Sequence, residues 1–113
     1  MGPEKTFENK VKAFIEQEGG WQVKFFANRM TKEGIPDLLT CIDGHFVAVE
    51  VKAQNGKPSE LQKRTCKEIR ESNGFAFILY PSGFNYFKMF VRNLKKGAHL
   101  DRWTRLDAPL ELK

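Results

Sequence analysis

The sequence places two carboxylates and a lysine where a single hairpin would bring them together. Residues Asp37 to Ile42 and His45 to Val51 are rich in strand-forming types and flank Asp43-Gly44. Asp-Gly is a strong signal for a two-residue hairpin turn, because both positions need φ > 0. Such a turn makes Ile42 and His45 neighbours, so Cys41 faces Phe46, Leu39 faces Ala48 and Asp37 faces Glu50. Directly opposed residues have Cβ atoms about 4.5–5.5 Å apart. Side chains alternate along a strand, so Lys52 shares the face of Glu50. Val47, Val49 and Val51 point the other way and belong in the core. A slip of one residue would bury the charges and expose the valines, so the register is well specified.

Two opposed carboxylates repel one another and destabilise a hairpin. A divalent cation between them removes that penalty. Hard oxygen ligands with open positions suit Mg²⁺, which keeps waters and completes its shell from a substrate phosphate. Such an ion lowers the pKa of bound water and neutralises charge on a phosphoryl oxygen. Lys52 is placed to hold the attacking water or to stabilise developing charge. This is equipment for metal-assisted phosphodiester hydrolysis. The plainer alternative makes Asp37 the start of a strand and Glu50 and Lys52 a solvated edge. Gly34-Ile35-Pro36, a rigid entry to Asp37, argues against it. So does the position of Glu50 at the end of the apolar run Phe46 to Val49, where a bare charge is expensive.

Pro36-Asp37 followed by Glu50-Val51-Lys52 resembles the signature of PD-(D/E)XK nucleases. The longer stretch KEGIPDLLTCIDGHFVAVEVKAQNGKPSELQ resembles the VRR-NUC branch, often phage-borne and similar to Holliday junction resolvases. The resemblance covers about Glu4 to Pro81 and implies a restriction-endonuclease-like α/β fold with a mixed sheet. It implies that Asp37, Glu50 and the backbone carbonyl of Val51 bind Mg²⁺ or Mn²⁺, and that Lys52 assists the nucleophile. A Glu on the first helix and a Gln on the second complete the family's site, which places Glu8 among the metal ligands and Gln62 among the catalytic residues. Both have other readings. Glu8 is also a first-turn carboxylate suited to the helix dipole, or a partner for Lys12 one turn on. Ser59-Glu60-Leu61-Gln62 also fits a capping box, in which Gln62 reaches back to the cap.

The elements that must position these residues are legible around them. Thr6 to Gln17 reads as a helix with Phe7, Val11, Phe14 and Ile15 on one stripe, stopped by Gly19-Gly20. Trp21 to Ala27 alternates as a strand, and Asn28 to Gly34 is a polar, basic loop. Pro58 and Ser59 open a helix that runs to Ser72, with Leu61, Thr65 and Ile69 inward. Asn73-Gly74 closes it as a left-handed cap. Phe75 to Tyr80 is apolar throughout, as a strand buried on both faces should be. Phe84, Phe87, Phe90, Val91 and Leu94 indicate a last helix, stopped by Gly97, whose stripe suits core or a dimer face. Residues beyond His99 carry no clear pattern. The order is α-β-β-β-α-β-α, in one nuclease domain over 1–113 with its core at about 4–81 and a C-terminal helix and tail over 82–113.

Composition bounds the rest. The chain has 113 residues, 41% of them hydrophobic, with ten Phe and two Trp, which is too apolar for a disordered chain. The longest apolar run, Phe75 to Tyr80, is far short of the about 20 residues a membrane span needs. Two cysteines, not in a C-x-x-C pair, suggest reduced thiols and an intracellular, cytoplasmic setting, with no zinc site. A net charge of +5 points to an anionic partner. Arg29 and Lys32 before Asp37, and Lys57 and Lys63 around the second helix, are placed to meet DNA phosphates. Further basic residues lie at Lys88, Arg92, Lys95, Lys96, Arg102 and Arg105.

Together these features predict a Mg²⁺-dependent endodeoxyribonuclease acting on branched or structured DNA as a homodimer, with room for a protein partner that supplies targeting. The alternatives are a catalytically silent DNA-binding or protein-interaction module that keeps the fold, and an interaction domain without nucleic acid.

Overall fold

A computed structural model describes residues 1–28, 30–97, 106 and 108–113. Helix α1 spans Pro3–Gln17, followed by strands β1 (Trp21–Lys24), β2 (Leu38–Ile42) and β3 (His45–Val51). Helix α2 (Glu60–Glu71), strand β4 (Phe75–Leu79), a 3₁₀ turn (Pro81–Gly83), helix α3 (Phe84–Lys95) and strand β5 (Glu111–Leu112) complete the chain. The five strands form one mixed sheet in the order β1-β2-β3-β4-β5. The first three strands are antiparallel, and β4 joins β3, and β5 joins β4, in parallel. This is an α+β architecture compatible with the restriction-endonuclease-like fold.

The β2–β3 hairpin has the expected register, with Ile42 opposite His45, Leu39 opposite Ala48 and Leu38 opposite Val49. Asp43 and Gly44 both have positive φ, 50° and 81°, the conformation that a two-residue turn demands. Asp37 lies one residue outside the ladder, so β2 begins at Leu38 rather than at Asp37. Strand β1 is also shorter than the alternation predicts and ends at Lys24 rather than Ala27. Beyond it one more cross-strand bond forms, from the Phe25 N–H to the Asp37 carbonyl at 2.7 Å.

Helices α1 and α3 cover one face of the sheet, and α2 covers part of the other. Val47, Val49 and Val51 meet Phe7, Val11, Phe14 and Ile15 of α1 and Phe87, Phe90, Val91 and Leu94 of α3. The phenylalanines of α3 are therefore core, and edge-to-face contacts tie them to Phe14, Phe75 and Phe77. Ala48, Ala76, Ile78 and Tyr80 form a second cluster with Cys66 of α2. The inward stripe of α2 is centred further round than expected: Thr65, Cys66 and Arg70 are buried, while Leu61 and Ile69 are half-buried. Asn73, at φ 75°, supplies the left-handed residue after this helix.

Strand β5 has no counterpart in the predicted order. The tail returns to pair with β4, the Ile78 and Tyr80 N–H groups donating to the Leu110 and Leu112 carbonyls at 2.8 and 3.0 Å. Arg70 ties it down, donating to the Ala76, Ala108 and Pro109 carbonyls at 2.9, 2.6 and 3.1 Å. Among the described residues, no helix is long and apolar enough to cross a membrane.

Candidate active site

The hairpin register delivers Asp37 to Glu50, and the two residues are cross-bonded through the backbone. The Asp37 N–H donates to Glu50 Oε1 at 3.2 Å, and the Val51 N–H donates to Asp37 Oδ2 at 3.2 Å. Pro36, buried just before Asp37, fixes the entry. Glu50 itself is only 3% exposed, because α2 packs over its face of the sheet. The solvated-edge reading therefore fails for Glu50.

A buried carboxylate needs partners, and Glu50 has too few to offset its surroundings. Burial pushes its pKa up and the Asp37 charge adds to that, while Lys52, 3.5 Å from Oε2, pulls the other way. The balance leaves Glu50 at about 7. A nearby positive charge would stabilise the ionised form and restore an ordinary acid. Two hard carboxylates at one point, one of them short of positive charge, suit a divalent cation. Among the described residues no three His, Cys, Asp or Glu side chains converge as a ligand set. A cation here would thus rest on Asp37 and Glu50, with backbone oxygen and water completing its shell.

Gln62 caps α2 and also reaches Glu50, so the two positions that the sequence left open are compatible. Its Oε1 accepts from the Ser59 N–H at 2.9 Å, while the Ser59 hydroxyl accepts from the Gln62 N–H at 3.1 Å, a complete capping box. Its Nε2 donates to Glu50 Oε2 at 3.0 Å. The cap decides the amide orientation, since a backbone N–H must meet the oxygen. The amino group is thereby turned onto Glu50.

Glu8 is 3% exposed and reaches the site through a residue that sequence reasoning missed. Lys24 Nζ lies 2.5 Å from Glu8 Oε1 and 3.5 Å from Asp37 Oδ1. Glu8 Oε2 pairs with Lys5 at 2.8 Å and with Lys12 at 3.3 Å, so the predicted pair with Lys12 is also present. Burial works to raise the Glu8 pKa, but the three ammonium groups, Lys24 foremost, outweigh it and hold the acid at about 2. Lys24 is raised in turn: burial opposes its charge, and Glu8 and Asp37 more than compensate. The β1–β2 register sets Lys24 opposite Leu38, a pairing that no short turn announces in the sequence.

The basic residues predicted for phosphate lie in separate surroundings. Lys57 is exposed on the approach to α2. Lys63 pairs with Glu60 at 3.3 Å and lines a shallow depression of about 380 Å³ with Leu61, Arg64 and Lys67. Lys32 is exposed at the rim of an apolar groove of about 500 Å³ that includes Pro36, Leu39 and Phe46. Arg29, and with it His99, Arg102 and Arg105, lies outside the described residues. Both cysteines are free, Cys41 exposed and Cys66 buried; burial first and the Glu50 charge second push the Cys66 thiol up to about 11.

Comparison with known families gives a match. The model of the VRR-NUC domain matches residues 4–82, which is more than half of the chain and contains Glu8, Asp37, Glu50, Lys52 and Gln62. No curated protein gives a significant match. A VRR-NUC domain is a nuclease-type domain with DNA as its substrate class. The chain belongs to the VRR-NUC family, within the PD-(D/E)XK nuclease superfamily.

Proposed function

We propose that the protein is a Mg²⁺-dependent endonuclease that hydrolyses phosphodiester bonds in branched or structured DNA, in the manner of a junction resolvase. One observation carries the reading: Asp37 and Glu50 are locked together with Lys52 beside them, and Glu50 is short of positive charge. Asp37, Glu50 and the Val51 carbonyl would hold Mg²⁺, or Mn²⁺ in its place. When bound, the ion supplies a more acidic water and neutralises charge on the phosphoryl oxygen. The chain's own residues do the positioning. Gln62 holds Glu50 in its rotamer, the Val51 N–H holds Asp37, and Lys52 orients the nucleophile and stabilises charge as it develops. Lys32, Lys57 and Lys63 take flanking phosphates, with Arg29 in the same role.

A second copy of the chain completes the assembly. The half of the sheet that α2 leaves open exposes Trp21, Val23 and Phe46, which adjoin the groove at Leu39. Covering this face with a twin would give two sites for two strands, and a separate protein would supply targeting. Sedimentation of wild type against Trp21→Glu checks the pairing; a wild-type monomer at micromolar concentration contradicts it.

The test of the activity is a panel of labelled four-way junctions, flaps and linear duplex, incubated with Mg²⁺, Mn²⁺ or EDTA. The reading predicts cutting of junction or flap with either metal and none in EDTA. Salt-sensitive binding without cutting would instead identify a silent DNA-binding module.

A further inference from the structure

Positive charge is unevenly distributed around the three carboxylates. Asp37 and Glu50 together have Lys52 at 3.5 Å from Glu50 and Lys24 at 3.5 Å from Asp37. Glu8 alone has three ammonium groups, from Lys24, Lys5 and Lys12, which between them occupy both of its oxygens. The Lys24 ammonium stands between Glu8 and Asp37, on a side chain only 22% exposed. It is fixed from both ends. The backbone of Lys24 pairs with Leu38, and the next residue bonds to the Asp37 carbonyl. A divalent ion seated between Glu8 and Asp37 would have to occupy the same space as this cation or be repelled by it at close range. On the other side of Asp37, toward Glu50 and Val51, no such cation among the described residues bridges the two carboxylates.

We propose that Lys24 is a positioning residue, an internal cation that ties Glu8 to Asp37 and occupies the place of a second metal. The site then loads one divalent ion per chain, on the Asp37–Glu50 side, and Glu8 acts through Lys24 rather than as a ligand. This rests on the metal-dependent reading above and specifies its stoichiometry.

The test is a Mn²⁺ titration of the full chain without DNA, followed by calorimetry and electron paramagnetic resonance. Wild type is expected to bind one Mn²⁺ per chain with an uncoupled spectrum. Glu8→Gln should change the affinity by less than fivefold. Lys24→Met should add a second Mn²⁺ and the exchange-coupled signal of a close pair. Two ions in wild type, a fivefold or greater loss in Glu8→Gln, or a single ion in Lys24→Met would each overturn the proposal. If Lys24→Met does not fold, the wild-type stoichiometry and the Glu8→Gln affinity decide. Two ions in wild type overturn only the role of Lys24, whereas no binding at all overturns the metal-dependent reading with it.

Discussion

Glu50 and Glu8 are equally buried carboxylates with opposite consequences for stability. Glu50 sits at about 7 in the fold against an ordinary 4.5. Between those values the folded state binds more protons than the unfolded chain, so stability falls as pH rises from 4.5 to 7. Glu8, at about 2, contributes stability that is fully present above 4.5 and is lost as pH falls toward 2. The metal-free protein should therefore be most stable near pH 5. Thermal melts in EDTA should show Tm falling from pH 5 to pH 8, and Glu50→Gln should flatten that fall and raise stability at pH 8 by up to about 3 kcal/mol. Identical slopes in the two proteins would contradict the assignment. Gln62 offers a separation of fold from function. Ser59→Ala should cost about 1 kcal/mol and leave turnover nearly intact. Gln62→Ala should cost a similar amount and also lower kcat, because Glu50 loses its amide donor. Chemical denaturation together with cleavage kinetics reads both. Sequence alone allowed either the cap or the site for Gln62. An amide has two ends, and only the placement of α2 over Glu50 shows that one caps the helix while the other bonds Glu50.

At the scale of the elements, what could be read depended on how tightly the chain constrains itself. A two-residue turn leaves one register for β2 and β3, so the meeting of Asp37, Glu50 and Lys52 followed from spacing. The link from β1 to β2 is a long loop that fixes no register, and Lys24 was invisible for that reason. Strand β5 is two residues long, too short for any period to show. Its place depends on a buried arginine and on Gly83, where a Cβ would collide with the Leu112 backbone. Arg70→Met would leave the Ala76, Ala108 and Pro109 carbonyls without their donor and remove the guanidinium from the Phe77 ring, 5.1 Å away. The expected loss is about 2–4 kcal/mol. Hydrogen exchange should accelerate at the Ile78 and Tyr80 amides, which β5 protects. Unchanged exchange there would show that Arg70 does not hold the strand.

The whole molecule measures 37 × 28 × 24 Å, close to the roughly 34 Å of one duplex turn. In the proposed dimer, each protomer of this size would engage one of the two strands. The +5 charge belongs to the same scale. Composition pointed to an anionic partner but not to a place; the proposed place is the N-terminus of α2, where Lys57 and Lys63 lie close in sequence to Gln62, which touches Glu50. Lys57→Glu combined with Lys63→Glu should weaken junction binding about tenfold or more and flatten its dependence on salt. Fluorescence anisotropy across a salt series measures both, and an unaltered slope would move the interface elsewhere. The proposed metal site at Asp37 and Glu50 is tested by the single-turnover cleavage rate of a junction in Mg²⁺, Asp37→Asn against wild type. The change leaves the side-chain size almost unaltered and removes one ligand charge. A loss of about a thousandfold or more, with DNA binding retained, is the predicted result. A rate within threefold of wild type would contradict a metal site at Asp37 and Glu50.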